Sequence, residues 1–276
     1  MAETTYSTLL LEHAAGVATL TLNRPEHRNT FNAAMRNDLV AALETLDADD
    51  AVRAIVVTGS GSTFSAGADM AGSSVPGGGA TANTGNRSAN PVPPFRPWEL
   101  RTPIIAAING PAVGMGLTYP MMWDIRIAAD DAKLGFVFTR RGLVPEGNAC
   151  WLLQRLVGAS RALELLLTGR TFSGAEAAEM GLVTRAVPAA EVLPTAQALA
   201  ADLATNTSPA AVALTKRMFY RYMESGDRWA ARVEELDLFL WTAGRPDAAE
   251  GVRAFLEKRP PEWPLVGSSD LPEGWR

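Results

Sequence analysis

Thr63-Phe64-Ser65-Ala66-Gly67-Ala68-Asp69-Met70 is the stretch whose reading decides this chain. It follows an apolar run, Ala54-Ile55-Val56-Val57-Thr58, across the turn Gly59-Ser60-Gly61. A second run, Ile104-Ile105-Ala106-Ala107-Ile108, leads into Asn109-Gly110-Pro111-Ala112-Val113-Gly114-Met115-Gly116. Short apolar runs bounded by turn residues read as buried strands. The small residues after them let backbone approach a ligand closely, and glycine permits dihedrals closed to other residues. Two converging backbone N–H groups at such a place make an oxyanion hole, which stabilises charge developing on a carbonyl oxygen.

The chain has 276 residues, 47% of them hydrophobic, enough for one large domain or one domain plus an appendage. Its net charge of −5 argues against a nucleic-acid partner. The single cysteine, Cys150, excludes an intramolecular disulfide. Its neighbours Ala149, Trp151 and Leu152 predict a buried thiol. No apolar run reaches membrane-spanning length, and Met1-Ala2-Glu3-Thr4-Thr5-Tyr6 does not read as a signal peptide, so a cytoplasmic protein without membrane contact is expected. No His/Cys cluster has metal-ligand spacing, and no metal is expected. Gly59–Phe64 lacks the last glycine of a dinucleotide fingerprint, and Thr63–Gly67 lacks the first glycine of a nucleophile elbow.

Further strands are expected at Val17–Leu22, Ile125–Ala128 and Val183–Val187. Between them lie helical segments. Residues 32–46 place Met35, Leu39, Leu43 and Leu46 on one face, with Asn32 as cap. Residues 149–168 carry a leucine-rich face, and 174–180 form a short helix capped by Ser173 and stopped by Gly181. Strands alternating with helices predict an α/β domain. From residue 189 the pattern turns helical, over 189–204, 208–224, 227–243 and 246–257. The division expected is a core over 1–200 and a helical oligomerisation region over 201–276. Residues 71–97, rich in Gly, Ser and Pro, predict a long flexible loop, either a substrate cover or a passive insertion.

Several further motifs recur in order: Leu22-Asn23-Arg24-Pro25-Glu26-His27-Arg28-Asn29, Lys133-Leu134-Gly135-Phe136, Gly142-Leu143-Val144-Pro145, Leu167-Thr168-Gly169-Arg170 and Phe255-Leu256-Glu257-Lys258-Arg259-Pro260-Pro261. Together with the two glycine-rich segments they make the chain, from about Val17 to Pro261, resemble the enoyl-CoA hydratase/isomerase (crotonase) family. The resemblance implies a ββα-spiral core with a helical C-terminal trimerisation region. It implies an acyl-CoA substrate, no separate cofactor because CoA is part of that substrate, and a homotrimer or dimer of trimers.

It also implies roles for residues. The N–H groups of Ala68 and Met115 would be the two oxyanion donors, Met115 opening a helix over roughly 115–122. Arg28 and Thr30 match the region that contacts the nucleotide part of CoA, while Ala66, Asp69 and Met70 match the adenine and pantetheine contacts. Gly114, Thr118 and Phe138 would line the acyl site. Asp69 equally fits a local cap, and Lys216 and Arg217 fit either phosphate contacts across a subunit boundary or a solvated helix face.

The chain departs from the type hydratases at their two catalytic glutamates, where it has Thr118 and Phe138. Neither transfers a proton as a carboxylate does. Glu146 remains, in Gly142-Leu143-Val144-Pro145-Glu146-Gly147, a loop in which isomerase-like members place their only acid. In an apolar setting such as Phe136, Phe138, Leu143 and Trp151 its pKa would rise, which suits proton transfer between carbons. A solvated loop glutamate, or an acid at the start of the next helix, is the alternative. The expected reaction is double-bond isomerisation of an enoyl-CoA with one glutamate. Hydration, with Glu146 activating water, is the alternative within the family. A non-catalytic acyl-CoA-binding oligomer is the alternative outside it.

Overall fold

The computed structural model describes residues 5–69 and 95–275. Met70 and the part of the expected 71–97 loop up to residue 94 lie outside the described residues. The main sheet has six strands in the order β1-β2-β3-β4-β6-β9. These are β1 (Leu9–Ala14), β2 (Val17–Leu22), β3 (Ala54–Gly59), β4 (Ile104–Ile108), β6 (Ile125–Ala129) and β9 (Arg185–Val187). A three-stranded sheet joins β5 (Ala112–Val113), β7 (Leu134–Gly135) and β8 (Thr171–Phe172). In the main sheet β1 is an antiparallel edge and the other pairs are parallel.

Parallel strands are buried on both faces and so read as continuous apolar runs. Every residue of β3 and β4 is buried. The two are hydrogen-bonded neighbours running the same way, with Ile55 opposite Ile104 and Thr58 opposite Ala107. The loops that leave their C-terminal ends therefore emerge side by side, the edge at which open α/β sheets bind ligands. Those loops are the two glycine-rich segments.

Helix α1 (Ala33–Ala48) starts where expected, with the Asn32 side chain accepting from Met35 N at 2.8 Å, and it buries Met35, Leu39, Leu43 and Leu46. Helix α2 (Met115–Met121) follows β5 directly. The leucine-rich segment 149–168 is two helices, α3 (Ala149–Val157) and α4 (Ala159–Thr168). Gly158 divides them, with φ 81° and ψ 157°, a conformation that ends a helix and suits glycine. Helix α5 (Gly174–Glu179) is capped by Ser173 as expected. Strand β9 begins two residues later than the apolar pattern suggests, because Leu182 N and Val183 N are taken by the Ala177 carbonyl. Strand β1 is absent from the sequence reading; four of its six residues are exposed, and Glu12 and His13 break its apolar run.

Helix α6 (Ala189–Asn206) lies across β2, β3, β4 and β6. The remaining helices are α7 (Pro209–Glu224), α8 (Arg228–Ala243) and α9 (Pro246–Glu257). Helices α7 and α8 share with Leu271 of the tail a small separate core, to which they give Ala210, Ala213, Leu214 and Leu238. Phe239, Leu240, Phe255 and Leu256 on α8 and α9 are each more than half exposed.

Two expectations are corrected. Cys150 is exposed, because the buried face of α3 is Ala149, Leu152, Leu153 and Val157 and position 150 turns away from it. Lys216 is buried and does not lie on a solvated helix face: its Nζ lies 2.8 Å from Asp124 Oδ2 and donates to the Thr102 carbonyl at 3.0 Å. Arg217 is half-buried, 3.5 Å from the Glu99 carbonyl.

The first glycine-rich loop is tied to the chain by Asn29. This residue is fully buried, at φ 52°. Its Oδ1 accepts from Arg24 N at 2.9 Å, and its Nδ2 donates to the carbonyls of Ser60 and Thr63 at 3.0 and 2.7 Å. Its own carbonyl accepts from Ser65 Oγ at 2.7 Å. Each buried partner left unpaired costs about 1–3 kcal/mol. Asn29→Ala orphans three, and is expected to lower the unfolding free energy in a urea titration by roughly 3 kcal/mol or more. A loss below about 1 kcal/mol, ordinary for any substitution, would remove Asn29 from this role.

Candidate active site

The segment after β3 runs between two backbones. On one side Phe31 N donates to the Gly67 carbonyl at 2.8 Å and Asp69 N donates to the Phe31 carbonyl at 3.0 Å. In this bridge Gly67 O and Asp69 N face Phe31, so the intervening Ala68 N–H faces away from it. On the other side Ser65 N donates to Pro111 O and Val113 N to Ser65 O, both at 3.1 Å. The second segment is held from beyond by β7, through Ala112 N to Lys133 O at 3.0 Å and Gly114 N to Gly135 O at 2.9 Å.

The approach leaves no room for side chains. A Cβ at Gly67, whose φ is +95°, would lie 2.7 Å from the Val113 carbonyl oxygen and 3.7 Å from Met115 N. A Cβ at Gly116 would lie 2.3 Å from the Ser65 carbonyl oxygen. The two segments therefore bring Gly67, next to Ala68, up to Val113 and the Met115 amide. Among the described residues neither of their amides donates to a protein acceptor.

Thr118 is fully buried, one turn into α2 from Met115 and on the same face. Its hydroxyl donates to Glu146 Oε1 at 2.6 Å. Glu146 sits in a loop with tight turns at Gly142 (φ 70°), Gly147 (φ 63°) and Asn148 (φ 58°). A Cβ at Gly147 would come within 2.9 Å of Thr118 Cβ, so glycine there sets how closely the loop docks on α2. Glu146 as a whole residue is exposed, yet enough protein surrounds its carboxyl group that burial raises its pKa. The Thr118 hydroxyl and, less strongly, the Arg36 cation oppose that rise. No neighbouring carboxylate contributes to it.

The remaining expected residues divide. Ala66 N donates to the Arg28 carbonyl at 3.0 Å, so Arg28 and Ala66 stand together beside Ala68, with the Arg28 side chain exposed. The Thr30 carbonyl accepts from Arg24 Nη1 at 2.6 Å, and Arg24 Nη2 lies 3.0 Å from Asp69 Oδ2. Asp69 is thus engaged in an ion pair with Arg24. Phe138 is buried, its ring edge 3.9 Å from where a Cβ would stand on Gly114. Gly114 itself has φ 56° and ψ −125°, which only glycine adopts without strain. Met70 is outside the described residues. Among those residues no group of three or more His, Cys, Asp or Glu is placed to hold a metal ion, and no helix is long and apolar enough to cross a membrane.

A family model described as enoyl-CoA hydratase/isomerase matches residues 12–265. The chain belongs to the enoyl-CoA hydratase/isomerase family. An enoyl-CoA hydratase of Alternaria alternata is 39% identical over 253 residues, covering 91% of this chain and 83% of the relative. A probable enoyl-CoA hydratase of Mycobacterium tuberculosis is 36% identical over 263 residues, covering 94% and 98%. A crystal structure of a probable enoyl-CoA hydratase/isomerase from Mycobacterium abscessus superposes with a TM-score of 0.84 at 42% identity, over 92% of this chain and 98% of that one. The α/β architecture is therefore the crotonase fold that this enzyme family shares, with its helical C-terminal region present.

Three residues around the candidate site escaped the sequence reading. Asn29 is one. Tyr119 is another, its ring stacked on Phe31 with centroids 4.8 Å apart. Burial and the Glu146 charge both raise its pKa, which places its hydroxyl near that carboxyl group. Arg36, in the first turn of α1, acts electrostatically on both Glu146 and Tyr119. Its place one turn after the Asn32 cap was the only sequence signal.

The raised pKa of Glu146 has a stability signature. Below the unfolded carboxylate pKa, about 4.3, both states are protonated and no difference arises. As pH rises through that value and on through the folded pKa, the folded carboxylate ionises at a cost that the unfolded one does not bear. Glu146→Gln is therefore expected to match the wild type near pH 3 and to gain relative stability as pH rises to neutral, in parallel thermal melts. An advantage that shrinks with rising pH would contradict the burial of this carboxyl group.

Proposed function

We propose that this protein acts on acyl-CoA thioesters through an enolate whose oxygen is held by the N–H groups of Ala68 and Met115, with Glu146 as the only proton carrier. The observation that carries the reading is the 2.6 Å contact of Thr118 with Glu146, one helical turn from the Met115 amide. Thr118 occupies the position of a hydratase glutamate, and instead of a second acid it supplies a hydrogen bond to the single one. Arg28 and Thr30, with Ala66, Asp69 and Met70, are the proposed CoA contacts; Gly114, Thr118 and Phe138 line the acyl side.

One carboxylate suits isomerisation. Glu146 takes a proton from C2 of a 3-enoyl-CoA, and the electron pair moves into the thioester carbonyl to give a dienolate. Its oxygen charge is met by the two amides. The same proton returns at C4, and the double bond now lies between C2 and C3. The group must serve as base and then as acid, for which a pKa raised toward the working pH is suited. Relatives named as hydratases favour a second reading. In that case Glu146 takes a proton from water as the hydroxyl adds at C3, and returns that proton to C2 of the resulting enolate.

Glu146→Gln is expected to lower kcat by roughly two or more powers of ten, with little change in CoA affinity and a comparatively mild effect of Thr118→Ala. Rates on a 3-enoyl-CoA and a 2-enoyl-CoA decide the case. Full activity in Glu146→Gln would sink the mechanism. Rapid hydration without a double-bond shift would establish the second reading, and tight CoA-thioester binding without turnover would show a binding protein.

We also propose a homotrimer or dimer of trimers in the cytoplasm. The support is the row of Phe239, Leu240, Phe255 and Leu256, apolar side chains left open on α8 and α9. Light scattering at micromolar concentration is expected to give three or six chains per particle, and a persistent monomer would contradict it.

A further inference from the structure

We infer that the acyl group this enzyme takes ends in an aromatic ring, received by a partly open pocket one turn of α2 beyond the Glu146 carboxyl group. The inference rests on the acyl-CoA reading above and adds the substrate class. Met115, Thr118 and Met122 follow one another at helical spacing, so they lie along one face of α2. The first would carry the thioester oxygen, and the second touches Glu146. The third, together with Asn148, two residues after Glu146, lines a cavity of about 210 Å³.

The other walls are Trp98, Trp151, Leu152, Tyr220 and Glu224. Three of these are aromatic, and aromatic rings prefer one another in offset or edge-to-face contact. A cavity of about 150 Å³ is known to take benzene, so 210 Å³ holds a six-membered ring with little to spare. The walls are fixed in advance. Tyr220 donates its hydroxyl to Asp124 Oδ1 at 3.1 Å, and the other Asp124 oxygen is held by Lys216 at 2.8 Å and Ile104 N at 2.7 Å. The polar tip of Tyr220 is thus satisfied outside the chamber, which leaves its ring as wall. The guanidinium of Arg155 lies 3.8 Å over the centre of the Trp151 ring and holds that indole in place.

Trp98, Tyr220 and Glu224 also line a wider groove of about 510 Å³ that opens between α7 and Trp275. They border both spaces, and the Trp98 and Tyr220 rings narrow the passage offered to a long alkyl chain. Of the two aromatic residues, Trp98 is the one whose removal widens the pocket without touching the Asp124 cluster.

Calorimetric titration with saturated thioesters tests this apart from turnover. The wild type is expected to bind 3-phenylpropanoyl-CoA about tenfold or more tightly than acetyl-CoA, and more tightly than dodecanoyl-CoA. In variants that still bind free CoA, Met122→Trp, which fills the chamber, should bring the phenyl-to-acetyl ratio toward one. Trp98→Ala should lower that ratio and improve dodecanoyl-CoA. Equal affinity of the wild type for phenyl and acetyl thioesters would overturn the inference, as would a preference for dodecanoyl-CoA or a ratio unmoved in both variants. Failure to bind any CoA thioester would overturn the acyl-CoA reading itself, and this inference with it.

Discussion

Two stretches of backbone pass so close that neither tolerates a side chain at the crossing, and the site follows from that. Gly67, Gly110 and Gly116 each stand where a Cβ would fall within 2.7 Å of the opposing chain. Glycine costs conformational entropy wherever it is ordered. Here the cost is offset by the buried, paired strands β3 and β4, which deliver the two loops to the same edge of the sheet. Because the contact is made by backbone, its geometry is set by the sheet and by three absent side chains. On the proposed reading, the identity of residues 68 and 115 then matters less than the position of their amides.

The carboxyl group is placed by a different logic. Glu146 is held by one hydrogen bond from a buried threonine and by a loop whose turns need left-handed residues at 142, 147 and 148. Burial raises its pKa while Thr118 and Arg36 lower it. A carboxyl group that was only buried would hold its proton too tightly, and one that was only hydrogen-bonded would stay ionised and be too weak a base to take one. The opposition of the two effects leaves a group that can both accept and return a proton, which is what a site with a single acid requires.

Much of the fold was legible because its strands are apolar along their whole length and its helices announce their caps. The sequence patterns located β2, β3, β4 and β6, the Asn32 and Ser173 caps, and the helical C-terminal stretch. What stayed hidden was whatever depends on partners distant in sequence. The edge strand β1 presents mixed polarity because one side of it faces water. The cysteine environment was misjudged because neighbours in sequence are not neighbours on a helix face. Lys216 pairs with Asp124, 92 positions earlier in the chain, and no local pattern reports such a pair. Asn29, between two positions taken for ligand contacts, serves the backbone of a loop some thirty residues on.

The Asp124 cluster joins these scales. Asp124 ends the segment that begins with α2, and it gathers Lys216 and Tyr220 from one face of α7 and the first amide of β4. Buried charges are stable only when paired and hydrogen-bonded, and every oxygen of this carboxylate has a partner. The contact fixes α7, outside the main sheet, against the far end of the helix whose first residue is Met115. The small core of the C-terminal helices is too slight to orient them by itself. This ionic anchor instead ties their position to the strand that carries the second glycine-rich loop. On the proposed reading, the distance from the thioester end of the site to its far wall is therefore set by the length of α2, and the chemistry of that wall by which residues α7 presents there.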